Sequence, residues 1–233
     1  MQVGIILGAS GAIGSAVAKA FAGQGYALVL CGRDARRLNK VLLECQRLGS
    51  PRVEAAFGDF TQEADYRRLL ILGQSIGPPP SFVFYAIGAA LSKPLHETSL
   101  EEWNDVMGAN LHGLFICAKV LLPVMPRGGL FAAITSVAGR SGIPNWSAYS
   151  ASKGGASAFL RVIREEYRPH GIRVLEVVAG ATRSELWDAI PGNWDLSKMV
   201  RPEDIAGAVL TAARATPPSS IDEILIAPAS GQL

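Results

Sequence analysis

Charged side chains are scarce in this chain. Asp, Glu, Lys and Arg make up 18% of the 233 residues while 49% are hydrophobic, against ~25% charged in an average globular protein. A chain so apolar does not remain disordered and must bury a large core. Neither sign of charge dominates: 22 Lys+Arg against 20 Asp+Glu leave +2, which excludes the clustered basic surface of a nucleic-acid binder. Cysteine is also rare. Cys31, Cys45 and Cys117 are odd in number, widely spaced and without a CxxC pair, so they read as buried, reduced thiols of a cytoplasmic protein. His96, His112 and His170 share no ligand spacing, and no metal is expected. No apolar run reaches the ~18 residues of a membrane span without Gly, Pro or charge, so no span is expected. The apolar N-terminus lacks a basic segment and soon turns glycine-rich, unlike a signal peptide.

What is present is a succession of short apolar runs alternating with helical patterns. Strands are predicted at 3–7, 27–31, 52–57, 82–85, 130–135, 173–178 and 223–226. Most are continuous apolar runs, as strands covered on both faces should be. Helices are predicted near 13–23, 35–48, 62–75, 101–124, 147–168 and 203–213. This order implies an α/β doubly wound parallel sheet of seven strands with helices on both faces. Gly77-Pro78-Pro79-Pro80 breaks one helix before the fourth strand, and Pro202 with Glu203 and Asp204 suits a helix first turn. A loop is predicted at 215–220. Residues 1–233 contain no linker, so one domain is expected.

Gly8-Ala9-Ser10-Gly11-Ala12-Ile13-Gly14 joins the first strand to the first helix. Glycines there let the backbone approach a pyrophosphate, whose charge rests on the helix N-terminus. The second strand ends Leu30-Cys31-Gly32-Arg33-Asp34, with Arg33 nineteen residues after Gly14. No carboxylate stands at the strand tip for a ribose 2′-hydroxyl, whereas Arg33 can pair with a 2′-phosphate. NADP is favoured over NAD. Asp34 reads as the cap of the next helix.

Tyr149-Ser150-Ala151-Ser152-Lys153 places a phenol and an ammonium four residues apart on one helical face. Ser136 stands thirteen residues upstream at the carboxyl end of an apolar strand, where open parallel sheets bind ligands. On these residues the whole chain resembles the short-chain dehydrogenase/reductase family, in its compact single-domain, NADP-preferring form. The glycine loop, Asp59 after the third strand and Asn110 in Asn110-Leu111-His112-Gly113 belong to the likeness. So do Ser136, the Tyr149/Lys153 pair, Gly180 and Arg201-Pro202-Glu203-Asp204-Ile205-Ala206.

The resemblance implies hydride transfer between a nicotinamide and a carbonyl or secondary alcohol, of the carbonyl reductase or alcohol dehydrogenase type. Tyr149 would be general acid/base, Lys153 and an oxidised nicotinamide nearby would lower the phenol's pKa, Lys153 would also hold the nicotinamide ribose, and Ser136 would polarise the carbonyl. Asn110 would hold a water in a proton relay. It further implies that Gly8, Ser10, Gly11, Ala12, Ile13, Gly14, Arg33, Asp59, Phe60, Ala86, Gly88, Gly180 and Thr182 meet the cofactor, along with Tyr149 and Lys153. Asn145, Trp146 and Trp187 are candidate substrate contacts beside Ser136 and Tyr149, under a lid at about 181–201. A homodimer or homotetramer is implied through the helices at 101–124 and 147–168 or the last strand. Four departures stand out: Leu7 where the family has threonine, Ala12 for a glycine, Tyr85-Ala86-Ile87-Gly88 for Asn-Asn-Ala-Gly, and Ala179 for a proline. The competing readings are a catalytically silent NADP-binding regulator and an epimerase or dehydratase on the same scaffold.

Overall fold

The computed structural model describes residues 1–216 and 218–231. Pro217, inside the loop predicted at 215–220, lies outside them. The strands are β1 (Val3–Leu7), β2 (Ala27–Gly32), β3 (Val53–Phe57), β4 (Phe82–Tyr85), β5 (Leu130–Ser136), β6 (Arg173–Ala179) and β7 (Glu223–Ile226). All pair in parallel, in the order β3-β2-β1-β4-β5-β6-β7. The winding therefore reverses between β1 and β4, and a crevice opens beyond their carboxyl ends. The helices are α1 (Ala12–Ala22), α2 (Ala35–Arg47), α3 (Glu63–Ile76), α4 (Leu100–Met107), α5 (Gly113–Leu121), α6 (Ser147–Tyr167) and α7 (Pro202–Arg214).

Alternation along the strands builds two cores. Val3, Ile5 and Leu7 face Tyr66 and Leu69 of α3, with Leu114 and Leu121 of α5 and Leu160 of α6 on the same side. Ile6, Leu28 and Leu30 face Val17 and Phe21 of α1, with Leu38 of α2 and Val209 of α7 completing the other. Every residue of β1, β2 and β4 is buried, as strands sandwiched by helices require. All three cysteines are sealed in these cores as free thiols.

The helix predicted at 101–124 is not one helix. A π-helical turn, Gly108–His112, separates α4 from α5, and a short 3-10 turn, Leu122–Val124, follows. Tyrosine hydroxyls meet backbone carbonyls around the kink: Tyr85 donates to Ala109 O at 2.7 Å, and Tyr66 lies 3.0 Å from Gly113 O. By length and composition, the continuous stretch Leu100–Val124 could cross a membrane, which the sequence reading did not foresee; half of its apolar window is buried inside the fold, as in a core helix. A second buried device ties β6 to the turn after β5. The carboxylate of Glu176, wholly buried, accepts from Thr135 at 2.8 Å and from Ser157, and Arg140 lies 3.1 Å away.

Candidate active site

The glycine loop bends where the winding reverses. Gly8 has φ +81°, and the amides of Gly8 and Ala9 both donate to Cys31 O at 2.9 Å, pinning the loop to β2. A Cβ on Gly8 would come 2.7 Å from the carbonyl of Ala86, and one on Gly14 would overlap Gly8 O. The loop is thus pressed against both the segment after β4 and its own helix by contacts only glycine permits. Gly32 is constrained in the same way, since a Cβ there would lie 2.7 Å from Ser10 Oγ. An acidic side chain at that strand tip would have to displace Ser10.

A cavity of about 670 Å³ opens beside this loop. Gly8, Ser10, Gly11, Arg33, Asp59, Phe60, Ala86 and Gly88 all line it, as the sequence reading expects of cofactor residues. Arg33 is 80% exposed at its rim and its guanidinium lies 3.7 Å from Asp59. Arg37, which sequence reasoning passed over, lines the same rim and is ion-paired with Glu185 from across the crevice. Their separation along the chain left no signal for that pair. Asp34 caps α2 as expected, accepting from Arg37 N at 2.9 Å. A glycine cradle at a helix N-terminus, with arginine at the far rim, fits a phosphorylated dinucleotide.

Ser136, Tyr149 and Lys153 come together at the carboxyl end of β5. A 3-10 turn, Val137–Gly139, follows Ser136, whose Oγ accepts from Ala138 N at 3.1 Å. A Cβ on Gly139 would lie 2.8 Å from Gly154 N, so this turn sits directly on the α6 backbone. That close approach sets Ser136 against Tyr149. Burial pushes the Tyr149 phenol above its ordinary range and a hydrogen bond with Ser136 opposes the rise. The lowering expected from Lys153 together with an oxidised nicotinamide concerns the cofactor-bound site; in the chain alone burial prevails. Lys153 is buried, donates to Ile134 O at 3.1 Å and lies 5.8 Å from the Tyr149 ring centre. Loss of solvation lowers its ammonium to about 8.

Asn110 occupies the π-helical turn, buried near this centre. Its Oδ1 accepts from Ala89 N at 3.0 Å, and its Nδ2 donates to Ala89 O at 2.8 Å and to Ser152 Oγ at 2.9 Å. Both amide hydrogens are committed to clamping the kinked helix onto the segment after β4. Gly88 packs between Asn110 and Lys153, where a Cβ would stand 2.7 Å from Asn110 Oδ1 and 3.5 Å from Lys153 Nζ. Two small residues of α6 pack inside the chain, Gly154 against Gly139 and Gly155 against Leu111, while Ala151 and Ala158 are exposed.

A second cavity, of about 450 Å³, lies over Ser136 and Tyr149, and Ile13, Trp146, Gly180, Thr182 and Trp187 also line it. Trp194, Leu225 and Pro228 join them; the C-terminal segment gave only a soft signal in the sequence. Asn145 is a correction. It is exposed, has φ +70°, does not line the cavity, and uses its carbonyl to accept from Lys93 N at 2.7 Å. Its role is to turn the chain into Trp146. The segment 181–201 is pinched at its base by a bridge between Thr182 and Val200, and carries two 3-10 turns, Glu185–Ala189 and Leu196–Lys198.

Comparison with known proteins places these features in a wider group. The sequence pattern described as short chain dehydrogenase matches residues 2–193. A sepiapterin reductase of Chlorobaculum tepidum is 30% identical over 239 aligned positions, covering 98% of this chain and 97% of that one. An uncharacterized oxidoreductase of Staphylococcus saprophyticus is 26% identical, with 97% of each chain covered. Among solved structures, an alcohol dehydrogenase from Thermococcus sibiricus complexed with 5-hydroxy-NADP superposes with a TM-score of 0.89. The two share 28% identity over 100% of this chain and 99% of that one. A metagenomic short-chain oxidoreductase in complex with NADP gives a TM-score of 0.83 at 27% identity, over 97% of each chain.

Proposed function

Because the chain belongs to the short chain dehydrogenase family, we propose that this oxidoreductase reduces a carbonyl of a small molecule with NADPH, Tyr149 delivering the proton. The observation that carries the reading is the meeting of three groups under one cavity: the hydroxyls of Ser136 and Tyr149, and the buried ammonium of Lys153. In the reaction the carbonyl carbon gains the hydride of NADPH, the oxygen gains a proton, and NADP⁺ is left.

The chain's own groups supply the rest. Ser136 donates to the carbonyl oxygen where negative charge develops. Tyr149, its phenol raised by burial, keeps its proton at neutral pH until an alkoxide of comparable or greater basicity forms beside it. Lys153 holds positive charge behind the phenol and favours the phenolate left after transfer. Gly8, Ser10, Gly11 and Gly14 would seat the pyrophosphate at the start of α1, assisted by Ala12 and Ile13. Arg33 would take the 2′-phosphate, Asp59 and Phe60 would border the adenine, and Ala86, Gly88, Gly180 and Thr182 would flank the nicotinamide half. Residues 181–201 act as the lid in this reading. A cytoplasmic setting is supported by the three free buried thiols. Self-association is supported by Phe115 and Val162, large apolar side chains left exposed on α5 and α6.

The reading is tested first by an NADPH-oxidation screen over ketones and aldehydes, in which wild-type turnover of at least one carbonyl is expected and none at all would refute it. Two further results follow from the geometry. Arg33→Ala should raise the KM for NADPH by ~10–100-fold, the worth of a charge-assisted phosphate contact, with little change for NADH. An unchanged NADPH/NADH preference would remove Arg33 from the cofactor site. The pH dependence has a definite sign. Lys153 carries its charge below about 8 and loses it above, so kcat/KM for reduction should be level at neutral pH and fall through about 8. The reverse oxidation needs Tyr149 as base, and because burial holds that phenol above its ordinary range, oxidation should climb only at higher pH than the range in which reduction falls. A pH–rate profile in both directions checks this, and parallel curves would contradict the assignment.

A further inference from the structure

Resting on the reading of Ser136, Tyr149 and Lys153 as the reacting centre, we propose that the substrates are uncharged aromatic ketones or aldehydes, and that carbonyl compounds carrying a carboxylate or phosphate are rejected. The argument starts from what surrounds the 450 Å³ cavity above Tyr149. Among the described residues that line it, none is charged. An anionic substrate would have to shed its water there with no cation to meet it, which proteins tolerate poorly.

The charges nearest in sequence point elsewhere. Within the lid, Arg183, Glu185 and Asp188 are exposed. Glu185 is ion-paired with Arg37, and Arg183 donates to Leu196 O at 3.1 Å. Arg140, on the turn beyond Ser136, is held by Glu223 at 2.6 Å and by Glu176. Lys153 lies behind Tyr149, its Nζ on Ile134 O. Two of the wall's hydroxyls are also occupied. Thr135 donates to Glu176 and Thr182 to Gly180 O, so the polar side chains left facing the cavity, Ser136, Tyr149, Ser184 and Trp146, are all neutral.

A run of rings lines the cavity beside Tyr149. Trp146 meets Tyr149 edge to face with centroids 5.2 Å apart, Trp187 stands 6.3 Å from Trp146, and Trp194 stands 4.7 Å from Trp187. The indole N–H groups of Trp187 and Trp194 already donate to Thr182 O and Ile190 O within the lid. These two residues therefore present ring surface and no free donor, which favours a planar aromatic group over an extended polar one. The volume lies near the lower end of the ~300–1,000 Å³ of small-molecule pockets and part of it must admit the nicotinamide, so the substrate is compact.

The test compares 4-acetylbenzamide with 4-acetylbenzoate, which match in shape and differ in charge. With NADPH in excess, kcat/KM for the amide should exceed that for the carboxylate by about thirtyfold or more, since a buried unpaired anion is strongly penalised. A smaller ratio overturns the proposal. If neither is turned over, the Kd of each, read by quenching of tryptophan fluorescence in the presence of NADPH, decides by the same ratio. In that case the redox reading of the site fails separately from its selectivity. For the aromatic half of the proposal, Trp187→Ala should cut the preference for acetophenone over butan-2-one by about threefold or more, from lost ring contacts. A preference reduced by less than that overturns the aromatic assignment.

Discussion

Tyr149→Phe is expected to lower kcat for carbonyl reduction by ~10²–10⁴-fold, the usual worth of a positioned proton donor. The substitution removes one oxygen and keeps the ring, so the edge-to-face contact with Trp146 and the packing over Lys153 survive. NADPH binding, followed by fluorescence, should therefore change little. The two measurements together isolate the role. A drop in turnover with intact binding places the lost function in proton delivery, whereas turnover close to wild type would require another donor in the cavity. Among the described residues, Ser136 is the only other hydroxyl shown interacting with the phenol, and its Oγ already accepts from Ala138 N. It is placed to orient a carbonyl more readily than to replace the phenol as acid.

Gly14→Ala carries the second large effect, and here the loss is of structure before chemistry. The added methyl would overlap Gly8 O and stand 2.7 Å from Gly8 C, both backbone atoms of the loop. No rotamer change relieves a clash between two main-chain segments. Either α1 moves away from the loop or Gly8 gives up its place against Ala86, where there is equally no room. Overpacking of this kind costs ~1–3 kcal/mol or more. The expected result is a lower thermal midpoint and NADPH affinity reduced by a factor of ~100 or more, because the amides that would meet the pyrophosphate no longer converge. A variant that melts and binds like wild type would show that the loop is softer than its packing indicates.

Most of the sheet was legible because parallel strands buried on both faces leave continuous apolar runs, as in Val3–Leu7 and Phe82–Tyr85. The glycine loop and the Tyr149/Lys153 pair were legible for a related reason: each is local, with its spacing written into a few consecutive residues. What escaped depends on partners brought in by the fold. The break in the helix at Asn110 is set by Ala89 and Ser152, and the adjoining carbonyls at Ala109 and Gly113 meet the hydroxyls of Tyr85 and Tyr66. None of this alters the apolar period of 101–124. Asn145 could not be told from a pocket residue, since its left-handed backbone turns it to solvent while its neighbour Trp146 enters the cavity. The rise of the Tyr149 phenol in the chain alone was not legible, because desolvation depends on how deeply α6 is covered, and adjacency to a lysine says nothing about that.

The sealing of all three cysteines has a practical consequence. Cys31 and Cys117 face the helical layer over one side of the sheet and Cys45 the other, and burial drives each thiol upward, Cys45 to about 12. A water-soluble sulfhydryl reagent reaches them only when the molecule opens, so labelling kinetics count opening events on both sides without any introduced probe. Because the native background is silent, a single cysteine placed in the segment 181–201 would report that segment alone.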